Sequence, residues 1–113
     1  MPISPLAAGD GRVQHWTFTT DSGIFSLAGL QNSNIVMHMQ DINNNNALYI
    51  CTGTWSITGG GTGGLADFTP SAADLLSTNP LGKPGMYKVY PVVTLSTGAV
   101  PMDSQILEVE NRP

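Results

Sequence analysis

The sequence is poor in charged residues. Four basic and eight acidic residues make up only 11% of the 113 positions, whereas about 25% is usual for a globular domain. Ser, Thr, Asn and Gln together number 32. A neutral polar surface loses little hydration energy when it packs against another protein, because few ions must leave water. The composition suits a subunit held in an assembly, although a secreted β domain would have a similar one.

Other scarcities exclude whole classes of protein. Four basic residues and a net charge of −4 argue against nucleic-acid binding, which needs clustered Lys and Arg. No apolar run approaches the ~20 residues that span a bilayer, and the first residues lack the basic and apolar segments of a signal peptide. We therefore expect a soluble chain that folds in the cytoplasm of the cell that makes it, without membrane insertion.

The single cysteine, Cys51, has no partner for an intrachain disulfide, which excludes a disulfide-stapled secreted scaffold. Its sequence neighbours are Ile50 and Thr52, so no adjacent cation lowers the pKa of the thiol. We predict a buried, unreactive side chain, because free cysteine is among the most buried residue types.

Short segments with period-two alternation run through the chain. In residues 34–40, Ile35, Met37 and Met39 share one face, and Val36, His38 and Gln40 share the other. Similar segments occupy residues 13–19, 47–52, 55–57, 65–68, 85–95 and 105–110, with turn signals between them. Strands at this spacing predict a sandwich or barrel. We predict an all-β, immunoglobulin-like antiparallel β-sandwich of about 7–8 strands.

The predicted domain covers residues 12–113, and residues 1–11 form an extended N-terminal arm. The arm is either a frayed terminus or an assembly contact in which Ile3 and Leu6 dock on a neighbouring subunit. One helical turn is predicted near residues 70–76, with Thr69 as its N-cap and Pro70 at its first position. Pro91 cannot donate to a ladder and is expected on an edge strand or at a bulge.

Three patterns imitate binding sites. The residues from Asp41 to Asn45 resemble the start of a calcium loop, but the sixth and twelfth positions hold Asn46 and Thr52 in place of Gly and Glu; a hairpin connection is the better interpretation. The glycine-rich residues 59–64 lack the Lys-Ser/Thr of a phosphate-binding loop and predict a mobile connection. His38 and Asp41 supply at most two metal ligands, whereas zinc sites need three or four.

No nucleophile elbow or motif-placed acid pair is present. We therefore predict no catalytic, cofactor-binding or metal-binding residues, no cofactor and no enzyme activity. Trp16 and Trp55, each on an alternating segment, predict either core residues or a sugar-stacking platform; core is the commoner role of a tryptophan in such a domain.

The order of features resembles the N-terminal domain of the phage baseplate upper protein family. A Gly-Asp step leads into an alternating strand, a Leu-x-Gly step precedes the next strand, and a Thr-Pro-Ser-Ala-x-Asp turn precedes a Gly-x-Tyr strand and a final hairpin. These features are Gly9-Asp10, Trp16-Thr17-Phe18-Thr19, Leu27-Ala28-Gly29 before residues 34–39, Thr69-Pro70-Ser71-Ala72-Ala73-Asp74, Gly85-Met86-Tyr87, and Gln105-Ile106-Leu107-Glu108-Val109.

The resemblance covers roughly residues 9–110 and implies an immunoglobulin-like domain that attaches parts of a virion and performs no catalysis. Its implied partners are other virion proteins, with a homo-oligomer expected, and its implied location is the virion, after synthesis in the host cytoplasm. Family members continue into further regions, whereas this chain ends at Pro113, which leaves the neck, tail tube and capsid surface open as locations. A capsid decoration protein and a host-glycan-binding module are the alternatives.

Overall fold

The computed structural model describes residues 5–111, and its regular structure is almost entirely β. Within that range, helical structure is limited to 3-10 turns at Asn32–Asn34, Gly59–Gly61, Ala73–Leu75 and Pro80–Gly82. The same part of the chain contains no helix with the length and apolar character needed to cross a membrane. The strands are β1 (Leu6–Ala7), β2 (Gln14–Thr17), β3 (Thr19–Thr20), β4 (Gly23–Ile24), β5 (Ile35–Asp41), β6 (Ala47–Ile50), β7 (Thr54–Ile57), β8 (Leu65–Thr69), β9 (Gly85–Leu95), β10 (Gly98–Pro101) and β11 (Gln105–Glu110).

The strands form two main sheets and a small ribbon. The larger sheet has the order β1-β11-β9-β5-β6, with β10 also paired to β9, and the smaller has the order β2-β8-β7. β3 and β4 make a two-stranded ribbon. The predicted all-β sandwich is confirmed. Its pairings are antiparallel except that β1 lies parallel to β11, which departs from the expected all-antiparallel arrangement.

The alternation in β5, an interior strand of the larger sheet, determines which of its faces packs in the core. Ile35, Met37 and Met39 are at most 4% exposed, and the residues between them are half-buried. Met39 lies opposite Tyr49 of β6 on one side and Val89 of β9 on the other. The predicted division of this segment into two faces is therefore confirmed.

The core joins both sheets in one cluster. On the side of the smaller sheet, Trp55 lies between two other aromatic rings, with its centroid 5.2 Å from those of both Phe18 and Phe68. The Phe18 ring meets Trp55 edge-on, at 85°, which suits the quadrupoles of the two rings. The larger sheet contributes Met37, Met39, Tyr87, Val89 and Leu107. Both tryptophans, at 6% and 4% exposure, are core residues.

The N-terminal segment packs on its own domain where it is described. β1 pairs with β11, Leu6 is 6% exposed and belongs to the core cluster, and the Gly9 amide donates to the Leu81 carbonyl at 2.8 Å. Leu6 therefore does not extend away to dock on a neighbouring subunit, because its own sheet offers a buried apolar place. Ile3, the other residue assigned to that contact, lies outside the described residues.

The predicted helical turn is present but starts later than expected. It comprises Ala73–Leu75 with Ala72 as its N-cap, whereas Thr69 is the last residue of β8. The assignment of Thr69 as the N-cap is therefore wrong. The ladder with β7, in which Thr54 is the register partner of Thr69, continues the strand past the position where the sequence pattern begins a helix.

Pro91 lies opposite a bulge, as predicted for a proline inside a strand. Register partners pair Pro101 with Val92 and Gln105 with Val89, so three residues, 102–104, face only two, Tyr90 and Pro91. Such an extra residue interrupts the ladder. On the side of β9 that faces residues 102–104, the Pro91 carbonyl accepts from the Met102 amide. The ladder is interrupted on this same side, so no hydrogen bond from an amide at position 91 is required. β9 thus tolerates a proline although it is a central strand.

Candidate functional site

The histidine with the most accessible ring lies on the outside of the smaller sheet. His15 of β2 and Asp67 of β8 are register partners, and the His15 Nδ1 atom is 2.7 Å from the Asp67 Oδ1 atom. The side chains are 79% and 37% exposed. A carboxylate that holds one ring nitrogen fixes the orientation of the imidazole and leaves the other nitrogen for a second partner.

The surroundings of this pair do not complete a nucleophile. Among residues 5–111, the structure gives His15 no hydrogen bond to a hydroxyl or thiol. Ser56 lies on the other side of Asp67, as its register partner on β7. The row therefore has the order Ser56, Asp67, His15, whereas a catalytic triad needs the imidazole between hydroxyl and carboxylate.

The residues considered as metal ligands do not converge. No group of three or more His, Cys, Asp or Glu side chains capable of holding a metal occurs in the described part of the chain. Asp41 accepts from the Asn43 amide at 3.1 Å and lies 3.5 Å from the Lys83 Nζ atom. Asn45 and Asn46 adopt left-handed φ angles of 54° and 56°, which asparagine tolerates better than most residues. The hairpin interpretation of this segment is confirmed by the pairing of β5 with β6.

The glycine-rich segment is packed against the core and is not a free loop. The Gly61 carbonyl accepts from the Leu27 amide, and the Gly64 carbonyl accepts from the Phe18 amide, both at 2.7 Å. A Cβ atom on Gly61 would lie 2.6 Å from the Leu27 carbonyl carbon, and the φ of Gly61 is 90°. Close backbone approach therefore explains this glycine, and the expected mobile connection is instead pinned at both of these positions.

A buried carboxylate forms the most connected polar cluster. Asp74 is fully buried. Its Oδ1 atom accepts from the Tyr49 hydroxyl and the Thr52 amide, both at 2.8 Å, and its Oδ2 atom accepts from the Gly53 amide at 2.9 Å and the Ser71 amide at 3.0 Å. The cluster fastens the turn at Ala73–Leu75 to the segment between β6 and β7.

This role of Asp74 was not predicted from the sequence, although the Ser-x-x-Asp spacing was a signal for it. The Ser71 Oγ atom accepts from the Asp74 amide while Asp74 accepts from the Ser71 amide, so the two residues form a reciprocal Ser-x-x-Asp box. Burial would raise the pKa of Asp74, but the bonds from Ser71, Thr52, Tyr49 and Gly53 outweigh it and hold that pKa below its ordinary value. Asp74 is an ionised structural clamp.

Cys51 lies beside this clamp. It is 5% exposed, and burial, followed by the charge of Asp74, raises the pKa of its thiol. A raised pKa disfavours the nucleophilic thiolate. The predicted burial of the thiol is confirmed, and its surroundings oppose reactivity.

The outer face of the larger sheet is the broadest candidate surface. We define it by the side chains of β5, β6, β9, β10 and β11 that point away from the core in three cross-strand rows. The first row is Val36, Val92 and Pro101, of which Val92 is only 7% exposed because its neighbours cover it; the second is Ile50, His38 and Tyr90; the third is Leu48, Gln40, Lys88 and Ile106. Lys88 is the only formally charged residue in these rows. Leu48 and Ile50 are 51% and 48% exposed.

The centre of the outer face is aromatic. The His38 and Tyr90 rings lie 5.4 Å apart between centroids, and the Lys88 Nζ atom lies 5.9 Å from the Tyr90 centroid. Burial lowers the pKa of His38, which favours the neutral form of its imidazole. Next to Tyr90, the bulge forms a shallow groove lined also by Met102, Asp103 and Ser104. Bulges re-aim side chains next to binding surfaces, and this one opens the sheet beside an aromatic ring.

No family model, curated protein or solved structure was found to match the chain.

Proposed function

We propose that this chain is a small structural subunit that binds other proteins through the outer face, and that its assembly is a phage particle, in the tail or baseplate. The observation that carries the proposal is the composition of the outer face: three rows of mostly apolar and neutral side chains with Lys88 as their one formal charge. Contiguous apolar surface on a small domain marks an interaction site. The particle itself is proposed from the sequence resemblance alone.

The chemistry of the outer face supports a protein partner. Tyr90 and His38 present half-buried rings, and aromatic residues are enriched where protein interfaces are tightest. Neutral imidazole and amide groups, from His38 and Gln40, supply hydrogen bonding without the desolvation cost of an ion. The proposal assigns the chain no catalytic step.

Of the alternatives, the decoration protein differs only in its place on the particle, and cryo-electron microscopy of the particle distinguishes the two. The glycan-binding module was motivated by the tryptophans as a stacking platform and by the Asn-rich loop, which by itself supplies no ring on which a sugar can stack. Trp16 and Trp55 are 6% and 4% exposed, so neither offers a ring face to a sugar. We do not retain it as a second candidate.

The test is detection of the chain in purified particles encoded by the same genome, with a variant that alters the outer face. Mass spectrometry should find the wild-type chain in the particles, and Tyr90→Glu should abolish its incorporation, because a carboxylate would be desolvated at the centre of the contact. Thr54→Glu, on the exposed side of β7, is the matched control and should be incorporated normally.

Circular dichroism establishes that both variants are folded. Absence of the wild-type chain from the particles would overturn the particle assignment. Incorporation of Tyr90→Glu at the wild-type level would overturn the role of the outer face.

A further inference from the structure

The larger sheet has an open edge at β6. What we infer from this edge does not depend on the proposed phage particle. β6 pairs with β5, and within residues 5–111 no other strand pairs with it. The Cys51 amide donates to the Met37 carbonyl. Because bonded and non-bonded pairs alternate in an antiparallel ladder, Tyr49 also turns its amide and carbonyl toward β5. The main-chain groups of Leu48 and Ile50 therefore point outward from the sheet edge.

This edge lacks the features that normally keep strand edges apart. Natural proteins protect edges with charged side chains, prolines or bulges, whereas β6 and its flanking segment contain none of these. The 25 residues 42–66 include no Asp, Glu, Lys, Arg or His and no proline. On β6 itself the two residues with outward main-chain groups, Leu48 and Ile50, also have half-exposed apolar side chains.

We infer that β6 pairs antiparallel with β6 of a second copy of this chain, around a two-fold axis at Tyr49. In that register Leu48 of each copy lies opposite Ile50 of the other, which gives two equivalent pairs. Within each pair, the amide of each residue donates to the carbonyl of the other. The apolar side chains also meet there as cross-strand pairs. The strand is self-complementary, as a two-fold interface requires.

The charge distribution favours a second copy as the occupant. Two molecules that each carry a charge of −4 repel one another, and they meet most favourably where both surfaces are uncharged. The other open edges are less suited: β1 lies beside Glu110 of β11, and β2 carries His15 next to Asp67. β7 is also uncharged, but the Ile57 amide at its end already donates to the Asn32 Oδ1 atom at 2.9 Å, and β10 ends in a proline. Pairing at β6 places no like charges opposite each other and joins the two outer faces into one continuous surface.

The contact is short, so the dimer should be concentration-dependent. Analytical ultracentrifugation of the purified chain from about 10 µM to about 1 mM covers the range in which small interfaces dissociate. We expect a monomer–dimer equilibrium in this range. Leu48→Lys and Ile50→Glu should each weaken dimerisation at least tenfold, since in the symmetric dimer each substitution disrupts both apolar pairs and places two charges at the edge. Leu76→Lys, at a position that is 56% exposed and off the sheets, should leave it unchanged.

The register is tested by mixing variants. Leu48→Lys with Ile50→Glu should restore a heterodimer, because the new ammonium and carboxylate lie opposite each other. Leu48→Lys with Leu48→Glu should not restore it, because these positions are not register partners. Restoration also shows that the variants are folded. A wild-type chain that is monomeric throughout, a Leu48→Lys variant that dimerises normally, or equal restoration in both mixtures would overturn the inference.

The result is separable from the proposed function. If the chain is monomeric but present in particles, the β6 interface is refuted and the assembly role stands. If the chain dimerises but is absent from particles, the interface stands and the particle assignment is refuted.

Discussion

Replacing Asp74 with asparagine measures how much of the stability of the sandwich depends on one buried carboxylate. The two oxygens accept four bonds of 3.0 Å or less, from three backbone amides and the Tyr49 hydroxyl. Each oxygen accepts two of these four bonds, and the Oδ1 atom accepts a longer one, of 3.4 Å, from the Thr52 hydroxyl. A carboxamide of the same size keeps one oxygen, and its amino group must face two donors whichever way it is placed.

The magnitude follows from the donors that lose their acceptor. A hydrogen bond contributes about 1 kcal/mol net, more when one partner is charged, and an unsatisfied buried donor costs about 1–3 kcal/mol. In Asp74→Asn two buried donors lose their acceptor and face an amino group instead, so the free energy of unfolding should fall by about 3 kcal/mol. At about 4 °C per kcal/mol for a domain of this size, the melting temperature of Asp74→Asn should fall by about 12 °C.

The assay is urea unfolding of the wild type, Asp74→Asn and the control Asp103→Asn at pH 7. Asp103 is exposed, and its side chain accepts one bond, from the Thr19 hydroxyl, so the same chemical change there should cost less than about 1 kcal/mol. The midpoints should differ while the slopes stay equal. A loss in Asp74→Asn no larger than that in Asp103→Asn would refute the clamp.

The pH dependence gives a second test of the same reasoning. The pKa of Asp74 is lowered in the folded chain, so its contribution is fully present above the unfolded pKa of about 3.9 and is lost as pH falls through the folded value. The difference in unfolding free energy between the wild type and Asp74→Asn should therefore be constant from pH 7 to about pH 5 and shrink below about pH 4. A gap that stays constant into this acid range would show that the ionised form is not what stabilises the fold.

Three further outcomes follow from single positions. Cys51 should react with a thiol reagent only on unfolding, and stoichiometric labelling of the native chain at pH 8 would contradict its burial. Gly61→Ala should cost at least about 2 kcal/mol and more than Gly60→Ala, because both have positive φ but only at Gly61 does the new Cβ meet backbone; equal losses in thermal unfolding would argue against the close approach. Tyr87→Phe should lose about 1 kcal/mol, since it removes the 2.7 Å bond from the Tyr87 hydroxyl to the Lys83 carbonyl, and unchanged denaturant midpoints would count against that bond.

Local patterns were enough to predict the longer strands and several of their turns, but not β1, which lies in the segment predicted as an arm, or β10. β5 alternates apolar and polar side chains, so its buried face follows from the sequence, and the Asn run before Ala47 predicts the hairpin to β6 because asparagine adopts left-handed φ. Pro91 predicts a defect in the ladder because it has no amide to donate. These features depend on residues close together in the chain, which is why they could be inferred.

The clamp at Asp74 depends on contacts between distant segments. Ser71 and Asp74 are three residues apart and form a recognisable box, but Tyr49, Thr52 and Gly53 come from a segment about twenty residues earlier. No spacing rule relates the two segments. The pattern at Thr69 and Pro70 also predicted the wrong helix start, because the pairing of β8 with β7 outweighs the local preference for an N-cap.

The faces of β6 show where alternation stops being informative, and why its edge matters. Leu48 and Ile50 point one way and Tyr49 and Cys51 the other, and all four are suited to burial, so hydropathy does not distinguish the two faces. The register with β5 decides the matter, because Met39 opposite Tyr49 turns Tyr49 and Cys51 into the core. Leu48 and Ile50 are then left at about half exposure. The strand therefore exposes two apolar side chains to solvent and has no charged residue beside them. A strand that is apolar on both sides has the composition of one covered on both sides. The two-fold pairing at Tyr49 packs Leu48 and Ile50 of the two copies side by side, and the outer face above them remains available to the protein partner proposed for it.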